Sequence, residues 1–138
     1  MILHGFTDGA SRGNPGESGI GLIVRDTDGN ALLTVYGYIG TATNNIAEYS
    51  ALIALLKKVK GMKFTKLIVH SDSELMVRQM NGEYKVKDEG IRKYFSRAQK
   101  LIEQLPYPFE LRHIPRTENK EADRLANLGI ESRKKIRI

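Results

Sequence analysis

Cysteine is absent from the 138-residue sequence, and so is tryptophan. Without cysteine there is no disulfide framework and no thiolate metal site, while the redox compartment is left open. No apolar run approaches membrane-spanning length, about 20 residues. The start, Met1-Ile2-Leu3-His4-Gly5-Phe6, has neither the basic segment nor the long apolar segment of a signal peptide. Together these absences give the expectation of a cytoplasmic protein with no membrane contact. No internal repeat, low-complexity tract or linker divides the chain, so its length makes one domain with a real core. Acids are in the minority, 16 against 22 Lys and Arg, for a net charge of +6. The pI is about 9.6. That balance favours a polyanionic partner; the alternative is a basic protein with no such partner.

The acids that are present include four in places where a carboxylate is out of character. Asp8 ends the strand-like stretch Leu3-His4-Gly5-Phe6-Thr7-Asp8-Gly9. Glu48 shares a helical apolar stripe with Leu52, Leu55 and Val59. Asp72 closes Leu67-Ile68-Val69-His70-Ser71-Asp72, which has the composition of a buried strand. Asp123 sits beside Ala122, Leu125 and Ala126 in a further helical pattern. A carboxylate at the edge of a core is costly unless it is paired with a cation. No Lys or Arg lies on those stripes, so the natural partner is a metal ion. An oxygen-only site suits Mg²⁺ or Mn²⁺ rather than Zn²⁺.

The order of elements says how the four could meet. Residues 2–10, 19–26 and 31–39 read as strands, with Thr27-Asp28-Gly29-Asn30 as a hairpin turn and the Gly-rich 13–19 segment as the turn before it. Asn44 or Asn45 caps a helix that runs to about Lys60 and stops at Gly61. A strand over 66–71, helical stretches over 73–81 and 88–104, a strand over 109–114 and a helix over 118–130 follow. This βββαβαβα pattern implies an α/β fold in three layers, a mixed five-stranded sheet with helices on both faces. Ligands of such sheets gather at strand C-terminal ends where strand order reverses. Asp8 and Asp72 would lie there on neighbouring strands, with Glu48 and Asp123 delivered by flanking helices. Residues 1–131 form the domain and 132–138 a basic tail.

Four segments carry a family resemblance. Thr7-Asp8-Gly9-Ala10-Ser11-Arg12-Gly13-Asn14-Pro15-Gly16, Thr43-Asn44-Asn45-Ile46-Ala47-Glu48, His70-Ser71-Asp72-Ser73 and Asn119-Lys120-Glu121-Ala122-Asp123 resemble the four signatures of type 1 ribonuclease H, in order and spacing. The resemblance spans essentially the whole chain. It implies a ribonuclease H-like fold and an endonuclease that uses water to cut the RNA strand of RNA–DNA hybrids. The ends left would be a 3′-hydroxyl and a 5′-phosphate, with two Mg²⁺ ions at work and Mn²⁺ able to substitute. It also implies that Asp8 bridges the metals, Glu48 and Asp72 complete one, and Asp123 completes the other.

Backbone groups around Gly9, Ser11 and Arg12 and the amides of Asn14 and Asn45 are implied readers of the 2′-hydroxyl, which separates RNA from DNA. Thr43 and Asn44 are implied contacts of the DNA strand. Asn14-Pro15-Gly16 is equally ordinary turn chemistry, and Asn44 equally a cap. Many relatives carry a Lys-rich protrusion and a Trp after the third signature. Here Gly82-Glu83-Tyr84-Lys85-Val86-Lys87-Asp88 runs almost directly into the next helix, as in the branch without the protrusion. Tyr84 stands near the missing Trp, with Lys85, Lys87, Arg92 and Lys93 as remaining phosphate contacts. Glu74 stands where many relatives have Gln. His113 matches the family's loop histidine, but it sits in Leu111-Arg112-His113-Ile114-Pro115-Arg116, stiffened by proline. His113 is preferred as the catalytic residue that assists proton transfer or product release, with Arg116 the alternative as a charged group for the scissile phosphate; His4 and His70, inside strands, read as structural.

A duplex of another kind, double-stranded RNA or branched DNA, is the rival substrate. A hybrid-binding module without catalysis is a second rival, disfavoured because all four carboxylates are present. Met1 and the self-contained pattern suggest a free-standing protein, monomeric and needing no protein partner. In the tail, Ile136 and Ile138 alternate with Arg137, the period of a short strand with one apolar face. The expectation is that the tail folds back over a sheet edge or an apolar groove.

Overall fold

A computed structural model describes residues 1–138. Strands β1 (Ile2–Gly13), β2 (Gly16–Arg25) and β3 (Ala31–Ala42) precede helix α1 (Asn44–Val59). Strand β4 (Lys66–Ser71), helices α2 (Glu74–Met80) and α3 (Glu89–Glu103), strand β5 (Phe109–His113) and helix α4 (Lys120–Ser132) complete the chain. The sheet order is β3-β2-β1-β4-β5. β1 pairs antiparallel with β2 and parallel with β4, so strand direction changes around β1. The expected mixed five-stranded α/β fold is the one observed.

β2 reads as a continuous apolar run, Ile20-Gly21-Leu22-Ile23-Val24, because helices cover both its faces. α1 packs on one face, backed by α3; α4 packs on the other, mainly against β2 and β3. The core gathers Leu3, Leu22, Leu52, Leu55, Leu67 and Val69 between the sheet and α1. No helix is long and apolar enough to cross a membrane.

Several boundaries differ from the sequence reading. β1 and β2 run to Gly13 and from Gly16, so the turn shrinks to Asn14-Pro15. The glycines there keep the ladder because cross-strand pairing satisfies their backbone groups. The cap of α1 is Thr43, whose hydroxyl accepts from the Ile46 amide at 3.2 Å. Asn44 and Asn45 are therefore the first residues of the helix rather than its cap. A short 3₁₀ turn over Arg116–Glu118 precedes α4, which starts after Asn119 and runs through Ser132, one residue past the expected domain boundary.

The tail folds back on the free edge of β3. The Tyr38 amide donates to the Lys134 carbonyl at 2.7 Å, and the Ile136 amide donates to the Tyr38 carbonyl at 3.1 Å. Ile136 lies over Gly37, where a Cβ would come within 2.4 Å of its Cγ2, so only glycine admits it. Ile136 and Ile138 join the edge of the core.

Candidate active site

Asp8 sits on the central strand and is only 5% exposed. Its neighbour Gly9 faces the opposite way and lies directly under α1. A Cβ on Gly9 would be 2.2 Å from the Ala47 carbonyl carbon, so glycine is what lets the helix come this close. That approach delivers Glu48, whose Oε1 accepts from the Gly9 amide at 2.8 Å. Asp72 follows the last residue of β4, at a strand-to-helix turn in which Ser71 accepts from the Ser73 amide and Ser73 caps α2. Asp8, Glu48 and Asp72 each offer an oxygen within 4.8 Å of the others. Asp123 reaches the same cleft from α4, close enough to Asp8 to help raise its carboxyl, though not within that distance of all three. Its carboxylate is 4.0 Å from the Arg116 guanidinium.

Burial, and then repulsion from Glu48 and Asp72, push the Asp8 carboxyl up to about 10. Glu48 is raised as well, by burial first and Asp72 second, with the Gly9 amide pulling the other way. Carboxylates crowded in this way cannot all ionise cheaply unless a cation joins them. The donor set is oxygen alone, with no thiolate or imidazole in the trio, so the residues fit a hard divalent cation.

Residues 6–129 match the reverse transcriptase-like family. The chain is 36% identical over 129 residues to ribonuclease HI of Halobacterium salinarum, covering 94% of this chain and 64% of that one. It is 43% identical over 126 residues to the bifunctional protein Rv2228c of Mycobacterium tuberculosis, covering 91% of this chain and 34% of the other. It thus spans less than two thirds of either relative. The crystal structure of the Halobacterium RNase H1 superposes with a TM-score of 0.90 over 96% of this chain and 99% of its own. LC11-RNase H1, solved in complex with an RNA/DNA hybrid, superposes with a TM-score of 0.90 at 40% identity, over 94% and 97%. The chain belongs to the type 1 ribonuclease H family.

Against the ribonuclease H signatures, the structure sorts the expected contact residues into two groups. Gly9, Ser11, Asn44 and Arg116 line the carboxylate cleft. The Ser11 hydroxyl also bonds Ser18 and the Ala42 carbonyl, so it holds the hairpin as well. The Asn14 Oδ1 accepts from the Asn44 amide at 3.0 Å, tying the β1–β2 turn to the start of α1. Thr43 is engaged as a cap, and Asn45 lies half-buried in the first turn without lining the cleft. Arg12 reaches away to Glu131 on the surface. His113 ends β5 opposite Ser71, exposed and outside the lining, whereas Arg116 is inside it. Tyr84, half exposed, packs under the Arg78 guanidinium in a separate groove with Lys85 and Arg92. Arg78 in turn pairs with Glu74. His70 stacks with both His4 and Phe6 on the sheet, as the strand positions of the two histidines suggested.

Two residues near the carboxylates were given no role in the sequence reading. Asn119, 2% exposed, donates to the Thr7 carbonyl at 2.8 Å and approaches Asp72 Oδ1 at 3.5 Å. Asn127 lines the cleft and donates to the Asp123 carbonyl at 3.0 Å. The signal was present: Asn119, Asp123 and Asn127 recur every four residues, a polar stripe on an otherwise apolar helix face.

Proposed function

We propose that this protein hydrolyses the RNA strand of RNA–DNA hybrids with two divalent cations, leaving 3′-hydroxyl and 5′-phosphate ends. Mg²⁺ is the proposed ion, with Mn²⁺ able to substitute. The observation that carries this reading is the convergence of Asp8, Glu48 and Asp72, with Asp123 across the same cleft, in a chain of the ribonuclease H family. When bound, the cations activate a water and stabilise the charge that develops on the leaving oxygen.

The side chains divide the work of holding them. Asp8, short and fixed on the central strand, lies beside the carboxylates of both flanking layers and would hold the cations from the middle of the site. Glu48 and Asp72, with oxygens close to Asp8, would hold the cations together with it, and Asp123 would complete the donor set from α4. The Gly9 amide fixes the Glu48 carboxylate, so that its orientation does not depend on the ion. Arg116, at the rim beside Asp123, offers a guanidinium to the scissile phosphate. Gly9 and Ser11 line the wall where the ribose 2′-hydroxyl would be read, and Asn44 lines it as the contact for the DNA strand. A hybrid is also the partner in the complex of LC11-RNase H1. The basic surface suits a duplex of two phosphate backbones. The protein is taken to act as a monomer in the cytoplasm.

Labelled RNA–DNA, RNA–RNA and DNA–DNA duplexes, each incubated with Mg²⁺, with Mn²⁺ and with EDTA, test the proposal. Cleavage confined to the RNA of the hybrid, and lost in EDTA, is the expected pattern. Preferential cleavage of double-stranded RNA or DNA would replace the substrate assignment.

A further inference from the structure

Packing fixes the backbone of Asp123 but leaves its side chain free to turn. Helix α4 is seated on two glycines of β2. A Cβ on Gly21, the cross-strand partner of Asp8, would lie 2.4 Å from the Ala126 amide nitrogen, and one on Gly19 would lie 2.5 Å from the Ala126 carbonyl oxygen. Ala122, Leu125 and Ala126 are buried on the same helix. The height of α4 beside Asp8 is therefore set by backbone-to-backbone contact. The direction of the Asp123 carboxylate needs a separate constraint.

The other flanking acids each have an N–H donor close by. The Gly9 amide holds Glu48 at 2.8 Å, and the Asn119 Nδ2 approaches Asp72 Oδ1 at 3.5 Å. Two groups flank Asp123 Oδ1. The Arg116 guanidinium stands at 4.0 Å with its side chain 81% exposed, so water screens it and holding it still costs entropy. The Asn127 Nδ2 stands closer, at 3.5 Å, and is itself anchored by donating to the Asp123 carbonyl at 3.0 Å. It reaches back one helical turn, the direction in which helical side chains lean. Its two protons can serve the carbonyl and the carboxylate together. A shift of about 0.5 Å brings the longer contact to ordinary hydrogen-bond length.

We propose that Asn127 is a positioning residue that orients the Asp123 carboxylate for the cations. One helix then supplies both the ligand and its brace, and Arg116 is left free for the substrate. A carboxylate already held in place loses less freedom when a cation arrives, so the cation binds more tightly. The proposal rests on the reading of Asp123 as a cation ligand and adds the group that aims it.

Asn127→Leu keeps the bulk and favours the helix while deleting the donors. Asn127→Gln keeps an amide that can reach a side chain four residues back. Mn²⁺ titrated calorimetrically into the substrate-free protein reads the effect. Loss of a bond that supports a metal ligand weakens metal binding by about 10- to 100-fold, and Asn127→Leu should fall at the lower end because Asp8, Glu48 and Asp72 remain. Asn127→Gln should stay close to the wild type. In an Asp123→Ala background Asn127→Leu should cause no further loss, because the group it acts through is gone. The Tm in EDTA should not fall, and hybrid cleavage by Asn127→Leu should recover as Mn²⁺ is raised. Unchanged Mn²⁺ affinity in Asn127→Leu, or an equal loss with and without the Asp123 carboxylate, would overturn the assignment. A lowered Tm in EDTA would replace it with a support of the helix. A raised KM for the hybrid at saturating Mn²⁺, with cation affinity unchanged, would replace it with a substrate contact. A wild-type protein that binds Mn²⁺ but cleaves no hybrid would overturn the catalytic reading instead and leave the calorimetry to decide the role of Asn127.

Discussion

Replacing Asp8 with asparagine should make the metal-free protein more stable while abolishing its activity. Oxygens of Asp8, Glu48 and Asp72 lie within 4.8 Å of one another. At that separation, an effective dielectric constant of about 20 gives about 3 kcal/mol of repulsion for each ionised pair. Proton uptake by Asp8 and Glu48, and the partial exposure of Glu48 and Asp72, reduce the sum, so a net gain of about 2 kcal/mol near pH 8 is the working figure. For a chain of this size that is a rise in Tm of roughly 5–8 °C. The sign with pH follows from the raised carboxyls. Asp8, up at about 10, and Glu48 bind protons in the fold that the unfolded chain has already released. Stability in EDTA should therefore fall as pH climbs from about 4 toward the raised values, because the native state holds the extra protons. Asp8→Asn should flatten that fall, and Mg²⁺ should raise the Tm of the wild type far more than that of the variant. Circular dichroism melts across pH, with and without EDTA, read all three effects. If Asp8→Asn melts at or below the wild type in EDTA at every pH, the three carboxylates do not repel as argued. If it keeps most of its Mg²⁺-dependent cleavage, the place of Asp8 in the middle of the site is wrong.

Arg116, which lines the cleft, should matter more than His113, which does not: His113→Ala should lower turnover by about 10²-fold or less. Steady-state kinetics of both alanine variants decide between them, and a larger loss at His113 would return the proton-handling role to the imidazole. Asn119→Ala removes the donor to the buried Thr7 carbonyl and should cost about 1–3 kcal/mol, seen as a lowered denaturation midpoint. An unchanged midpoint would mean that water replaces the amide. Deleting residues 132–138 should lower the Tm by several degrees while sparing cleavage, because it strips two backbone bonds and two half-buried isoleucines from the edge of β3. An unchanged Tm with weaker hybrid binding would make the tail an electrostatic arm alone.

Periodicity and composition alone determined the order of elements, the mixed sheet and the anomaly of Asp8, Glu48, Asp72 and Asp123. These are legible because a strand or helix stripe built for a core exposes a misplaced carboxylate by pattern. The ends of elements were less legible. The hairpin around Asn14-Pro15 outruns its glycines, and Thr43 rather than an asparagine caps α1, because caps and turns are decided by which hydrogen bond closes in three dimensions. Only the tertiary structure set Asp8, Glu48 and Asp72 within 4.8 Å of one another, put Arg116 inside the cleft and His113 outside it, and brought Asn119 to the Thr7 carbonyl. Each of those depends on an approach between elements far apart in the chain, such as α1 settling on Gly9 or residue 119 meeting residue 7. A sequence states which side of its own helix or strand a residue occupies. How close two such sides come is set by packing, and the chemistry of a carboxylate site depends on differences of about an ångström.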